Sequence, residues 1–202
     1  ARMRAQLDAS KPLRKRLWQA VVRAKIANQG AALQAVGRQS SAFDAIARRV
    51  RSGDPENLEA QAAQRYWPQM MGDGFRRDME QPGPNGLLNY GYAILRSGMA
   101  RSVMAAGLHP TVGIYHKNRG NPMCLVDDLM EPFRPVVDVA VARLIGEGTE
   151  DVTVDAKHRL VGVLAEALRE DVRDVRVRAL RRPHLERPRR PLHVVGERDH
   201  YC

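Results

Sequence analysis

The sequence predicts a mainly α protein that folds as a compact multi-helix domain. Apolar residues recur at three- and four-residue spacing along most of the chain, which is the period of an amphipathic helix. Patterns typical of β-strands are nearly absent, and Gly or Pro residues separate the helical stretches. With 202 residues, of which 44% are hydrophobic, the chain can bury a core, and this composition excludes wholesale disorder.

The first predicted helix begins after Ser10, a candidate N-cap, and runs from Lys11 to about Asn28. Pro12 suits its first turn, and an apolar stripe that includes Trp18 marks its buried face. Its outer face is predicted to carry the basic residues Lys11, Arg14, Lys15, Arg16, Arg23 and Lys25. Such a face is ordinarily a solvated surface, and contact with phosphates is the alternative.

Three more helices are predicted in the first half of the chain. They span residues 43–50, 54–71 and 87–106. Gly53 can end the first of them with positive φ, and Gly107 can end the third. Asp54 is predicted to cap the second helix, with Pro55 in its first helical position.

Residues 111–124 are rich in Gly, Pro and polar side chains and are predicted to form a loop between two helices. A helix over about 125–144 follows, with a kink or short break expected at Pro132 and Pro135. A last amphipathic helix covers 155–172. The predicted domain is therefore 1–172, and residues 173–202 are expected to be a mobile basic tail.

The net charge of +10 is concentrated at the beginning of the chain. Residues 1–51 hold 12 basic and 2 acidic side chains, whereas the other 151 residues hold 21 of each kind. A charge of this sign favours polyanionic partners such as DNA. No apolar run approaches the roughly 18 residues of a membrane span, and we expect a soluble, cytoplasmic protein with no membrane partner.

Three places along the chain combine ionisable side chains with helix starts or loops. Glu59 lies one turn inside a predicted helix among small and apolar residues, although a first-turn Glu is ordinarily explained by the helix dipole. His116 lies in the predicted loop, where most His residues are merely exposed. Glu131 follows Asp127 by four residues and Asp128 by three, so like charges share a helix face, and a cation or a proton usually relieves their repulsion.

Two carboxylates and one imidazole suit Mg²⁺ or Mn²⁺, which favour oxygen ligands and keep open positions for phosphate oxygens. Zinc is disfavoured, because the Cys and His residues follow no zinc-binding spacing. The sequence also contains neither a P-loop nor a Gly-x-Ser-x-Gly nucleophile motif.

Four segments, in the same order along the chain, resemble one known family. They are NLEAQAAQRYW (57–67), NGLLNYGYAILRSGMAR (85–101), AGLHPTVGIYHKN (106–118) and LVDDLMEPFRPVVD (125–138). Together they resemble the integrases of CRISPR adaptation, the first-numbered Cas proteins. The run KRLWQAVVRAKIANQ (15–29) is similar to the start of their helical domain in type II systems.

The resemblance implies a helical C-terminal catalytic domain with a metal held by a glutamate, a histidine and a second acid. Carried over to this chain, these residues are Glu59, His116 and Glu131, and they would be both catalytic and metal-binding. Asp128 matches a further acidic position of the family's site. Arg14, Lys15, Arg23 and Lys25 are candidate contacts to DNA phosphates.

The resemblance further implies an endonuclease and integrase that inserts foreign DNA fragments into a CRISPR array by attack of a 3′-hydroxyl on a phosphodiester. The expected partners are DNA, the second-numbered Cas protein and, in the full-length family, a second copy in a homodimer. The family's N-terminal β domain is absent from this chain, which suggests an N-terminally truncated piece. The alternative is a non-catalytic helical module that binds nucleic acid or acts as a scaffold.

Overall fold

The computed structural model describes residues 2–169, and this part of the chain is helical. The elements are α1 (Arg2–Leu7), α2 (Lys11–Ala35), α3 (Ser41–Arg49), α4 (Leu58–Met71), α5 (Pro84–Ala105), α6 (Cys124–Met130), a 3₁₀ turn (Glu131–Phe133), α7 (Arg134–Gly146) and α8 (Val154–Arg169). No strand occurs between residues 2 and 169, which confirms the predicted mainly α fold. None of these helices is long and apolar enough to cross a bilayer. The predicted tail, 173–202, lies outside the described residues.

The N-terminal part of the fold differs from the prediction in two ways. Helix α1 was not predicted, and α2 continues to Ala35 where an end near Asn28 was expected. Ala32 and Leu33 in the added turns are fully buried in the core. Packing against the rest of the protein therefore sustains the helix beyond the point where the sequence pattern weakens.

Helix α4 begins later than predicted, although Asp54 caps it as expected. The helix begins at Leu58, so the prediction that Pro55 occupies its first position is wrong. Asp54 and Asn57 adopt the left-handed conformation, with φ of 47° and 51°, and form a turn that delays the helix. The Asp54 carboxylate still caps α4, because it accepts hydrogen bonds from the amides of Leu58 (2.9 Å) and Glu59 (3.0 Å).

The predicted break in the helix over 125–144 is confirmed. The chain leaves α6 at Met130, passes through the 3₁₀ turn and enters α7 at Arg134. The two prolines in this stretch account for the break, since each removes a backbone donor. Glu131 is consequently the first residue of the 3₁₀ turn, at the junction between α6 and α7.

The core is divided between two main apolar clusters that meet at α7. The first joins α2, α3 and α4, and it contains Trp18, Ile26, Leu33, Phe43, Leu58 and Tyr66. The second joins α5, α7 and α8, and it contains Leu87, Leu88, Leu95, Val137, Leu160 and Leu164. Helix α2 packs against α3, α4, α7 and the 3₁₀ turn, so it is surrounded by the elements that carry Glu59 and Glu131.

A buried carboxylate joins the two clusters. Asp138 of α7 is 2% exposed and accepts hydrogen bonds from the hydroxyls of Tyr66 (2.8 Å) and Tyr92 (2.5 Å). Burial raises the pKa of Asp138 to about 6, against the opposing effect of the two tyrosine hydrogen bonds and of nearby Arg134 and Lys25. The pKa of each tyrosine is raised by burial and by the neighbouring carboxylate.

The contact between α5 and α7 at Gly91 is expected to be intolerant of any side chain. A Cβ atom at Gly91 would lie 2.4 Å from Cγ1 of Val137. We expect Gly91→Ala to lower the free energy of unfolding by about 1–3 kcal/mol, because the two helices must separate. Chemical denaturation measures the effect. The control is Gly162→Ala in α8, where a Cβ atom would have no atom within 4 Å. This variant should raise the free energy of unfolding by about 0.5–1 kcal/mol. Equal effects of the two substitutions would contradict the close approach of α5 and α7 at Gly91.

Because of Asp138, the free energy of unfolding is expected to fall as the pH rises from about 4 to about 6. The pKa of Asp138 is about 6 in the fold, above the 3.8 of an ordinary Asp, so the folded state holds the proton more tightly. The resulting stabilisation is fully present below about pH 4, is lost by about pH 6 and amounts to about 3 kcal/mol. Denaturation of the wild type and Asp138→Asn at a series of pH values isolates this difference. The exposed Asp155→Asn variant should keep the wild-type pH dependence, and a wild-type slope in Asp138→Asn would contradict the assignment.

Candidate active site

Two of the predicted site residues meet across α2, around the ammonium group of Lys25. The Nζ atom lies 2.6 Å from Oε1 of Glu59 and 2.5 Å from Oε2 of Glu131. The side chains of Lys25, Glu59 and Glu131 are 15%, 24% and 10% exposed. Two acids that are 72 residues apart in the sequence therefore share one cation in a partly buried position.

A second cation supports Glu131 from the side of α7. The Arg134 Nε donates to Oε1 of Glu131 at 2.9 Å, and the guanidinium lies over the ring of Tyr92 at 4.7 Å. Burial acts to raise the pKa of Glu131, but Lys25 and Arg134 outweigh it, and the pKa is held below its usual value. Burial acts to lower the pKa of Lys25, and the two glutamates outweigh it and raise that pKa. Both shifts favour the charged forms of Lys25 and Glu131.

His116 is held by Asp128, which is fully buried. One carboxylate oxygen of Asp128 accepts from the amides of Ile114 (2.6 Å) and Tyr115 (2.9 Å), and the other contacts Nδ1 of His116 at 2.5 Å and accepts from its amide at 3.4 Å. A Cβ atom at Gly113 would lie 2.4 Å from the His116 carbonyl oxygen, so this turn needs glycine. Asp128 fixes the imidazole through Nδ1 and leaves Nε2 available.

Aromatic stacking attaches this loop to α2. The ring of Tyr115 stacks on Trp18 with centroids 4.4 Å apart and planes 7° apart, and the His116 ring meets Trp18 edge-on at 5.6 Å. Trp18 and Lys25 are seven residues apart, which is about two helical turns on the same side of α2. The same helix therefore positions both the His116 loop and the cation shared by the two glutamates.

The repulsion among the acids of residues 127–131 is not relieved by one shared ion. Asp127 pairs with Arg96 (2.6 Å), Asp128 takes the loop amides and the imidazole, and Glu131 takes Lys25 and Arg134. Each acid thus has its own set of donors. Repulsion within this stretch, which the sequence indicated, is relieved by separate protein groups.

The structure brings Glu59 and Glu131 together and does not bring His116 to them. Within residues 2–169, no group of three or more His, Cys, Asp or Glu side chains is arranged to hold a metal ion. His116 is paired with Asp128, and its side chain is 50% exposed. The two-acid part of the predicted site is therefore assembled, and the imidazole stands apart from it.

A cleft of about 190 Å³ opens beside the two-acid cluster. Its lining includes Lys25, Gln29, Arg77, Glu131, Arg134 and Asp138. Gln29 is 3% exposed, and its Oε1 accepts no hydrogen bond from any described residue. An unpartnered buried acceptor beside carboxylates fits the water ligands of a hydrated divalent ion, which can donate hydrogen bonds. The oxygens of Gln29 and Glu131 are of the type that Mg²⁺ and Mn²⁺ favour, and the cations Lys25, Arg77 and Arg134 line the same cleft.

The four candidate DNA contacts do not share one face of α2. Arg14, Lys15 and Arg23 lie at or near the surface, whereas Lys25 points inward to the acids, so its predicted place on the outer face is wrong. Arg23 lines a groove of about 490 Å³ between α2 and α3, together with Arg48. That groove contains one acid and no His in its lining, which suits phosphate contact better than metal binding.

Sequence reasoning missed the roles of Lys25 and Arg134. Lys25 is spaced three and four residues from the buried Val22, Val21 and Gln29, and this helical spacing indicates a buried face. Arg134 follows Glu131 by three residues, a spacing at which opposite charges pair. Both signals were present in the sequence, but the pairing of Lys25 with Glu59 depends on how α2 packs against α4.

The chain matches one known protein family over most of its length. The family described as CRISPR associated protein Cas1 matches residues 1–173. The CRISPR-associated endonuclease Cas1 of Neisseria meningitidis serogroup C is 39% identical over 166 residues, which cover 80% of this chain and 54% of that protein. A CRISPR-associated endonuclease Cas1 of Pyrobaculum aerophilum is 40% identical over 111 residues, which cover 54% of this chain and 38% of that protein. The chain therefore spans about half the length of the Neisseria relative and less than half the length of the Pyrobaculum relative.

Solved structures share the fold. A casposase bound to integration product superposes with a TM-score of 0.67 at 23% identity, covering 80% of this chain and 55% of that one. A partial Cas6-RT-Cas1–Cas2 complex gives a TM-score of 0.65 at 22% identity, covering 81% of this chain and 61% of that one. At these identities the likeness establishes a common helical architecture.

Asp128 is expected to be the residue that shapes the His116 loop. We expect Asp128→Asn to lower the free energy of unfolding by about 2–4 kcal/mol, because an amide cannot accept from all the donors that the carboxylate serves. Hydrogen exchange of the amides of Ile114, Tyr115 and His116 should become faster. Asp127→Asn, the matched control, alters the neighbouring carboxylate, which pairs with Arg96, and should leave these amides protected. Unchanged exchange in Asp128→Asn would contradict this role.

Proposed function

Because the chain belongs to the Cas1 family, we propose that it forms the helical part of a metal-dependent DNA endonuclease and integrase. The proposed reaction inserts short fragments of foreign DNA into a CRISPR array. The observation that carries the proposal is the meeting of Glu59 and Glu131 on one cation beside a cleft, in a chain of net charge +10. Clustered carboxylates on a basic protein suit chemistry on a phosphodiester held near a divalent ion.

The proposed chemistry is a transesterification. The oxygen of a terminal 3′-hydroxyl forms a bond to phosphorus of the target strand and gives up its proton. The existing bond from that phosphorus to the departing 3′-oxygen breaks, and the departing oxygen takes up a proton. A bound Mg²⁺ or Mn²⁺ would polarise the scissile phosphate and lower the pKa of the attacking hydroxyl.

Glu59, Glu131 and His116 are the proposed metal ligands. The two glutamates share a cation already, and His116 would contribute Nε2 because Asp128 occupies Nδ1. All three can bind one ion only after the imidazole, whose side chain is 50% exposed, and its loop move toward the two acids. Asp128 acts as a positioning residue in this scheme.

DNA is the proposed substrate of the site and the proposed ligand of the basic surface. The exposed Lys15 and Arg23 would contact backbone phosphates, which hold DNA without reading its sequence. We further propose Cas2 as a protein partner and a second copy of the full-length protein as the dimer partner. Support for Cas2 comes from the shared fold with the Cas1 part of a complex that contains Cas2.

The second candidate function is a non-catalytic module that binds nucleic acid or acts as a scaffold. One observation favours it: Lys25 already neutralises the two glutamates, and residues 2–169 hold no ready three-ligand group. Such a module would bind DNA equally well with Mn²⁺ and with a chelator. Its affinity would fall with added salt in both conditions.

The catalytic proposal predicts activity that depends on metal and on the two acids. We expect Mn²⁺- or Mg²⁺-dependent cleavage or strand transfer on a branched DNA substrate, with a loss of roughly 100-fold or more in Glu59→Gln, Glu131→Gln and His116→Ala. Gel analysis of the products measures the rates. Glu147→Gln, which alters a glutamate 48% exposed and paired with Arg159, is the control and should retain wild-type rates. Full activity in all three site variants would contradict the site, and metal-independent binding without turnover would favour the module.

A further inference from the structure

Lys25 holds the position that a metal ion bound to the same carboxylate oxygens would need. Its ammonium contacts Oε1 of Glu59 and Oε2 of Glu131 at 2.6 and 2.5 Å. A divalent ion binds carboxylate oxygens at about 2.0–2.2 Å, and it would use the same lone pairs. Its charge would also repel the ammonium at that distance. Lys25 and the metal therefore compete for the two acids.

The charges of the cluster balance without a metal ion. Glu59 and Glu131 carry two negative charges, and Lys25 and Arg134 carry two positive charges within hydrogen-bond distance of them. A divalent ion adds two positive charges to a partly buried neutral group. Binding is then opposed unless a cationic side chain moves away or an anion arrives.

Of the two cations, Lys25 is the one that contacts both acids and that a metal ion between them would displace, whereas Arg134 contacts Glu131 alone. The Arg134 guanidinium is fixed by Glu131 and by the ring of Tyr92. Lys25 has a flexible four-carbon stem and a single point charge. The adjoining cleft of about 190 Å³ has Lys25 in its wall, and so the ammonium has space beside the acids.

We propose that Lys25 is a resident counter-cation that couples metal binding to phosphate binding. It neutralises Glu59 and Glu131 until a divalent ion takes its place, and it then pairs with a DNA phosphate at the cleft. The inference rests on the proposed function, since it takes the two glutamates as metal ligands. By linkage, DNA that draws the ammonium away raises the affinity for metal, and metal raises the affinity for DNA by the same factor.

The test is calorimetric titration of the full chain with Mn²⁺ alone and with Mn²⁺ in the presence of a short duplex DNA. Lys25→Met should bind Mn²⁺ roughly tenfold or more tightly than the wild type, because the competing charge is gone. DNA should tighten Mn²⁺ binding in the wild type and have a much smaller effect in Lys25→Met. Lys157→Met, which removes a lysine of α8 that lies over the ring of Tyr90, is the control and should match the wild type in both titrations.

Two further variants protect the test against a folding defect. Lys25→Gln keeps a hydrogen-bond donor for the acids without the charge, and it should reproduce the tighter binding. Lys25→Arg keeps the charge and should bind Mn²⁺ as weakly as the wild type. Thermal unfolding of each variant without metal confirms that the titrated proteins are folded.

The outcomes separate this inference from the proposed function. Equal or weaker Mn²⁺ binding in folded Lys25→Met and Lys25→Gln, with clear binding in the wild type, overturns the role of Lys25 and leaves the metal site intact. An equal effect of DNA on the wild type and Lys25→Met overturns the coupling. Absence of Mn²⁺ binding in every variant overturns the metal site and this inference with it.

Discussion

The arrangement of the site depends on the electrostatic constraint that two partly buried glutamates cannot face each other without a cation between them. Glu59 lies in the first turn of α4, and Glu131 begins the 3₁₀ turn between α6 and α7. The ammonium of Lys25 lies between them on α2. Helix α2 packs against both α4 and the 3₁₀ turn. Apolar packing and the charge cluster therefore hold the same three elements together.

Helix α2 organises the rest of the candidate site as well. Its residue Trp18 stacks on Tyr115 and positions the loop that carries His116, two turns away from Lys25. Asp128 completes that loop by gathering its amides and the imidazole on one buried carboxylate. The proposed ligands thus come from three distant segments, and one buried helix holds each of those segments in place.

The acids differ in what their surroundings do to them. Asp138 is buried between two tyrosine hydroxyls, and its pKa is raised because hydrogen bonds from neutral donors do not compensate fully for lost solvation. Glu131 is also shielded from water, yet two cations lower its pKa. Burial alone therefore does not decide the charge of a carboxylate here; the identity of its partners does. Of these two acids, which both line the cleft, Asp138 is therefore the more easily protonated.

The family resemblance of the sequence pointed to Glu59 and Glu131 as site acids, and that role stays a prediction. By itself the sequence determined the mainly α class, the break at Pro132 and Pro135 and the capping role of Asp54. These features depend on local periodicity, backbone restriction and residue chemistry, which neighbouring residues specify. Only the tertiary structure decided that Lys25 turns inward between these acids and that Asp128 serves His116. It also decided that α2 continues to Ala35. Each of these outcomes requires contacts between residues far apart in the chain, and such contacts exist only after the helices have packed.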